Sequence, residues 1–514
     1  MRVDTTGLPA LIGSQQFREL GSILIQAIAD HMDRDAALPL TCHRIPEPLL
    51  EQLSRSEPPL EPQSASSVLR TAIELMQKYS LHSSHPRFLG YVCPAADPMG
   101  TLAEALVASI NPNAASAMMT PIGYVLEKTV VRWLATLVGL GANAGGILVS
   151  GGNMANLIGL QAAREHRAPW PIRQHGFNHP DARPLCVYAT SEVHGGLEKA
   201  VEALGLGGSA LHRVDTDSRG RMKVSSLKDR VTADRAAHAV PICIVASIGT
   251  VATGAIDPLP EIVDFARTEG IWVHVDGSYG AAMALASEVP EEFAAIPFID
   301  SMSWDPHKWL RVPYEAGCVL LRDPAALTRT FSQRPNYYTF GDYEEVTHYY
   351  EQGPQNSRQL RALKVWVSLT QHGQRGHREF IERDLQMNRA FQEAVARQPC
   401  FEMRTGNLCI TTFRYLPDCV RPADERDRTY VNNLNQAILD ETQRGGNCYL
   451  SNAVVADDFL LRACFMNHAT TVNDVQRVLT EIAQVGARLA SQHPSAMPGR
   501  ARQAASLEGA RTCS

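Results

Sequence analysis

No stretch of 18 or more apolar residues occurs in this 514-residue sequence, so it lacks the ordinary signature of a membrane-spanning helix. The amino-terminal MRVDTTGLPALIGSQQFREL has no uninterrupted apolar core of signal-peptide length. Lysine and arginine form no block. With 48 basic and 54 acidic residues and a formal net charge of -6, a nucleic-acid role has no electrostatic footprint. The eleven cysteines, scattered from Cys42 to Cys513, are odd in number and include no C-x-x-C pair. That is the pattern of free thiols in a reducing compartment rather than of a disulfide framework. Neither the cysteines nor the 17 histidines carry a spacing that supports a metal site, and no internal repeat is visible. The expectation is a soluble, cytoplasmic protein that partners neither membrane nor nucleic acid and holds no metal.

What is present is ordinary globular composition, 45% hydrophobic and 20% charged, in a chain long enough for several layers around a core. Residues 1–90 read as a helical segment broken by the proline-rich RIPEPLLEQLSRSEPPLEPQ. Over 91–375, helical stretches such as NMANLIGLQAAREH and LPEIVDFARTEG alternate with short runs: GILVS (146–150), LCVYAT (185–190), ICIVAS (242–247), IWVHVD (271–276), SMSW (301–304) and CVLL (318–321). Each run is largely apolar rather than alternating, as in strands buried on both faces of a mainly parallel sheet. An α/β fold with helices flanking that sheet follows. Over 376–490 long amphipathic helices mix with LCITTFRYL and FLLRACF, predicting a smaller α+β domain. The tail, 491–514, is small and polar and reads as flexible.

In open α/β sheets ligands gather beyond the carboxyl ends of the strands, and those ends carry unusual residues here. SGGNMAN (150–156) follows GILVS and opens a helix, so its glycines permit close backbone approach and its amides face an anion. Asp276 closes IWVHVD, and His194 follows LCVYAT. Taken singly, each has a plainer reading: a turn, a helix cap, a structural histidine. Lys308 is harder to dismiss. It lies in SMSWDPHKWL, where Asp305-Pro306 should stop a core strand, between His307 and Trp309.

An anion cradle, a carboxylate at a buried strand end and a lysine in apolar surroundings together meet the needs of pyridoxal 5'-phosphate (PLP). The lysine would form a Schiff base, the helix end would hold the phosphate, and Asp276 would pair with the protonated pyridine nitrogen. Keeping that nitrogen protonated two or three pK units above its free value needs roughly 3–4 kcal/mol, which a buried charge-assisted bond can supply. An apolar pocket would also disfavour the charged form of Lys308 and free its amine.

DPHKWL, HVDGSYG, SEVHGGLEKA and HPRFLGY (85–91) together resemble the group II PLP-dependent amino acid decarboxylases, relatives of the aromatic amino acid, histidine and glutamate decarboxylases. The resemblance runs from about residue 80 to 375 and more faintly beyond. It implies the PLP-dependent transferase-like fold (fold type I) and a homodimer with active sites built at the subunit interface and amino-terminal helices packed across the partner. It makes Lys308 the Schiff-base lysine, Asp276 the partner of the pyridine nitrogen and His194 the histidine stacked on the ring. Gly152 and Asn153 match phosphate-loop positions, His307 a phosphate contact, Thr250 a residue near the ring face, and Ser278 a small residue that leaves room beside it.

The implied reaction is decarboxylation of an L-amino acid to its amine and CO2, with a tyrosine on a loop returning a proton to Cα. RPNYYTFGDYEEV (334–346) occupies that region, with Tyr337 the best fit and Tyr338 its rival. A phenylalanine there would suggest the aldehyde-forming branch. Aldehyde synthesis or other Cα chemistry stays open, as does a non-catalytic dimer that keeps the fold. Tyr91, Val92 and Cys93 fall where the family lines its side-chain pocket, and NPNAASAMMTPIGYVLE (111–127) supplies alanines and methionines. An aromatic or other medium or large side chain is the first expectation; an acidic one, as in glutamate, aspartate or cysteine sulfinate, is the alternative.

Overall fold

The computed structural model describes residues 12–34, 40–41, 44–339, 343, 346–417 and 424–492. Strand β1 (Phe88–Leu89) precedes seven strands that form the large sheet: β2 (Gly145–Val149), β3 (Leu185–Thr190), β4 (Leu211–Val214), β5 (Val240–Ser247), β6 (Trp272–Asp276), β7 (Ser301–Trp304) and β8 (Gly317–Leu321). Their order is β2-β8-β7-β6-β5-β3-β4, and only β8 runs against the rest. Every residue of β3, β7 and β8 is buried. That is why their sequences are continuously apolar: helices cover both faces. The six apolar runs expected as strands all form, within two residues of their expected ends. The edge strand β4 was not expected; only its first and last residues are buried, too few to leave an apolar run.

The helix Gly152–Arg167 lies across this sheet and buries Ala155, Asn156, Ile158, Gly159, Leu160, Ala162 and Ala163. The three-to-four spacing of those residues is what one helical face against a sheet requires. A second sheet has the order β1-β11-β12-β10-β9, from β9 (Phe401–Asn407), β10 (Ile410–Tyr415), β11 (Tyr449–Val455) and β12 (Asp458–Cys464). The helices Glu425–Gly445 and Val472–Gln492 pack together and on this sheet. β1 joins it in parallel, pairing Phe88 with Tyr449 and Leu89 with Leu450, so residues just before the large sheet are stitched to the carboxy-terminal one. The expected polar tail lies outside the described residues beyond 492.

The segment after β7 turns sharply and is held from the second unit. Trp309 Nε1 donates to Asp384 Oδ2 at 2.9 Å, and Arg311 Nη2 to the same oxygen at 2.8 Å. Asp384 sits on the helix Ala362–Ala396, which bends at Gly373 (φ 60°, ψ 179°). Arg311 Nη1 reaches Met466 O at 2.7 Å. Trp309 also stacks on Tyr279, ring centroids 5.0 Å apart. The residue following Lys308 is therefore fixed on both sides.

Candidate active site

Because β2, β7, β6, β5 and β3 run the same way, their carboxyl ends share one edge, and Ser247, Asp276 and Ser303 are direct neighbours in register. A cavity of about 540 Å3 opens there. The turn after β2 contributes Gly152 and Asn153; that after β3, His194; that after β5, Thr250. The end of β6 gives Asp276 and Ser278, and the segment after β7 gives His307 and Lys308. Tyr91 and Val92 close one wall. Most residues singled out in the sequence thus meet in one pocket, but Tyr337 and its rival Tyr338 do not line it, and Tyr337 is 78% exposed. Cys93 is not among the lining residues either.

Asp276 is half-buried in a frame of donors. Its Oδ2 accepts from Asn156 Nδ2 at 2.9 Å, and its Oδ1 from Ser278 N and Ser303 Oγ, both at 3.1 Å. Burial pushes its pKa up. The nearby charge of Lys308 and the bonds from Asn156 and Ser278 outweigh that push and hold the carboxyl below its ordinary value. This is the environment of a permanent anion. Gly152, the first residue of its helix, is pressed into the same floor: a Cβ there would lie 2.5 Å from Ser278 Oγ and 2.8 Å from Asp305 Oδ2. Only glycine brings those amides so near.

His307 accepts from Ala316 N through Nδ1 at 3.2 Å, which leaves its neutral-state hydrogen on Nε2; burial lowers its pKa, with Asp305 opposing. His194 accepts from Gly196 N through Nδ1 at 3.1 Å and is exposed at the mouth. Thr250 Oγ1 is fixed by Thr253 Oγ1 and Ala255 N, both at 3.0 Å.

Lys308 corrects one expectation. Its surroundings are not apolar: Nζ lies 2.9 Å from Asp305 Oδ2, a carboxylate 1% exposed. Asp305 had been read only as a strand stop. Three further residues escaped sequence reading because their partners are distant in the chain. Asn156 lies inside SGGNMAN but looked like any helix residue. Ser303 is a small polar residue in a buried strand. Arg462, 3% exposed, enters from β12. Its Nη1 donates to Gly90 O at 2.8 Å and Ser451 Oγ at 3.0 Å, while Nε and Nη2 are buried with no hydrogen-bond partner among the described residues.

These features fit PLP. A half-buried anion, a helix amino terminus with no room for a Cβ at Gly152 and a primary amine line one cavity, and the Arg462 guanidinium adds a positive charge to its wall.

Comparison with known proteins agrees with that fit. Residues 46–415 match the pyridoxal-dependent decarboxylase conserved domain. An aromatic-L-amino-acid decarboxylase of Bacillus atrophaeus is 28% identical over 486 residues, 94% of this chain and 98% of that one. A phenylacetaldehyde synthase of Petunia hybrida is 27% identical over 465 residues, 88% and 90% of the two chains. Among solved structures, Oryza sativa TDC with PLP and tryptamine superposes with a TM-score of 0.85 at 22% identity, covering 94% of this chain and 100% of that one. With well over half its length matching that domain, the chain belongs to the pyridoxal-dependent decarboxylases, and it is a PLP-dependent amino acid carboxy-lyase.

Proposed function

We propose that this pocket takes an L-amino acid with an aromatic or other large side chain and returns the amine and CO2. The observation that carries the reading is the anionic Asp276, half-buried at a strand end in one cavity with the Lys308 amine. Bound there, PLP supplies the electron sink that lets the bond from Cα to the carboxylate break. Asp276 holds the ring nitrogen protonated. The amides at Gly152 and Asn153, with His307 Nε2–H, hold the phosphate. Lys308 would form the covalent link to the cofactor, and Asp305, 2.9 Å from its Nζ, would orient the amine. His194 and Thr250 bound the ring, and Ser278 leaves space for it. Arg462 offers its two unmet N–H groups to the substrate carboxylate, and Tyr91 and Val92 contact the side chain.

Tyr337 is the proton donor to Cα in this reading. Tyr338 packs edge-on against Tyr350, ring centroids 5.2 Å apart, whereas Tyr337 is the more exposed of the pair. Tyrosine at this place favours the amine over the aldehyde named for the Petunia relative.

The working unit is a homodimer. The helix Ala65–Tyr79 buries none of its residues, and Phe17, Ile25, Val68 and Met76 are 62%, 52%, 51% and 66% exposed, apolar surface that a second copy would cover. The boundaries proposed from the sequence, 1–90, 91–375, 376–490 and 491–514, are kept; the one at 375 falls two residues after Gly373, where the long helix bends. A cytoplasmic setting is supported by the free thiols of Cys93, Cys186, Cys243, Cys318, Cys409, Cys448 and Cys464. No helix among those residues is long and apolar enough to cross a membrane.

The test is a product assay on the PLP-loaded protein with a panel of L-amino acids, reading CO2, amine, aldehyde and peroxide. Amine matched one-to-one by CO2, and lost in Lys308→Ala, is the expected result. Aldehyde with peroxide would overturn the role given to Tyr337.

A further inference from the structure

Behind Asp276 lies a chain of buried polar groups that the reaction does not touch. Asn156, whose Nδ2 donates to Asp276, presents its Oδ1 to His274 Nε2 at 3.0 Å. His274 Nδ1 lies 2.7 Å from Ser301 Oγ, and Ser301 Oγ accepts from Trp272 Nε1 at 2.8 Å. Trp272, His274 and Asp276 alternate along β6 and share one face; Ser301 and Ser303 are the register partners of His274 and Asp276 on β7. Asn156, His274 and Ser301 are each at most 1% exposed. The covering helix is shaped for the ring: a Cβ on Gly159 would fall 2.5 Å from His274 Nδ1.

The direction of every bond follows from what each group can do. A carboxylate only accepts, so Asn156 must turn its NH2 toward Asp276 and its oxygen toward His274. His274 therefore carries its hydrogen on Nε2. A neutral imidazole has no second hydrogen, so Nδ1 accepts from the Ser301 hydroxyl, whose oxygen accepts from the indole, which can only donate. Burial keeps the ring neutral, lowering its pKa to about 4 against the pull of Asp276. All donors point one way, and the last of them lands on Asp276. With three hydrogen bonds received, the carboxylate retains one of about four acceptor sites for the pocket.

We propose that Asn156, His274 and Ser301 are positioning residues that set how firmly the proton stays on the ring nitrogen held by Asp276. Each donor along the chain polarises the next, and a carboxylate supplied with donors is a weaker base. Weaken the chain, and the proton shared between ring nitrogen and Asp276 moves toward the carboxylate. This rests on the role given to Asp276 above.

The experiment reconstitutes the protein with PLP labelled with 15N in the ring and reads that nitrogen's chemical shift, together with the dissociation constant for PLP. In the wild type the shift should be that of a protonated pyridine. Asn156→Ser and His274→Phe should move it toward the unprotonated value and weaken PLP binding about tenfold, the effect of losing one hydrogen bond to a charged group. His274→Gln, which keeps a donor for Asn156, should restore most of the wild-type shift, whereas a merely space-filling role would be better kept by phenylalanine. If His274→Phe does not fold, Ser301→Ala carries the same expectation at one step's remove. Variants that bind PLP with an unaltered 15N shift overturn the relay while leaving the pocket's function intact. A wild-type protein that takes up no PLP overturns the function itself, and the relay with it.

Discussion

Arg462 lines the cavity with two buried nitrogens that have no hydrogen-bond partner among the described residues. A buried guanidinium with two donors unmet among the described residues costs stability unless something fills them, and its Nη1 holds Gly90 O and Ser451 Oγ. Arg462→Lys keeps a charge that can still reach those oxygens but loses the planar fork that suits a carboxylate. KM for the amino acid should rise about 10- to 100-fold, the worth of a charge-assisted hydrogen bond, with PLP uptake unchanged. A variant that melts earlier but keeps its KM would make Arg462 a staple between β12 and Gly90, and nothing more. Sequence reading could not find this arginine, since its bonded partner Gly90 is 372 positions away and LLRAC reads as an ordinary strand. Lys308 and Asp276, by contrast, were legible because the misfit is local. A lysine follows a buried strand and a carboxylate ends one, and a chain that tolerates such placements uses them.

At the scale of elements, the apolar runs predicted the sheet because burial on both faces removes polar residues from a strand. The same logic hid β4, β9 and β11, half-exposed strands that mix polar with apolar residues, and β1, whose two buried residues are too few to make a run; tertiary pairing decides them. The clamp on the lysine-bearing segment is of this kind. Asp384 accepts from both Trp309 and Arg311. Burial raises its pKa to about 6, with Arg311 and the two bonds pulling down. Asp384→Asn would leave Arg311 buried without its counter-charge, a loss of about 3–5 kcal/mol. Since Trp309 adjoins Lys308, the variant should also bind PLP more weakly. Urea unfolding of the protein with and without PLP checks both. An unchanged midpoint would mean that the clamp contributes packing alone.

Across the whole molecule, buried groups titrate against one another. His274 and His377 are pushed down to about 4, in both cases chiefly by burial, while Asp257 and Asp384 are pushed up to about 6, again chiefly by burial. The signs are opposite. Between pH 6.5 and about 4 an unfolded histidine has taken up a proton that the folded one refuses, so its contribution is full above pH 6.5 and is lost as pH falls through that window. Between about 6 and 4 a folded, protonated aspartic acid binds a proton that its unfolded form has released, so the same acidification adds stability. The two pairs largely cancel, and the stability of the wild type should fall less steeply in this range than either histidine alone would dictate. His377 separates the terms, since it is 1% exposed and lies outside the PLP pocket. In His377→Leu the histidine's acid loss is gone and the aspartates' gain remains. From pH 7 to pH 4.5 the stability difference should therefore move about 2–3 kcal/mol in the variant's favour, at 1.36 kcal/mol per pK unit. Urea midpoints for both proteins across that range measure it. A gap that does not change with pH would show that His377 titrates normally in the fold, and that the molecule's acid response is set by its carboxylates.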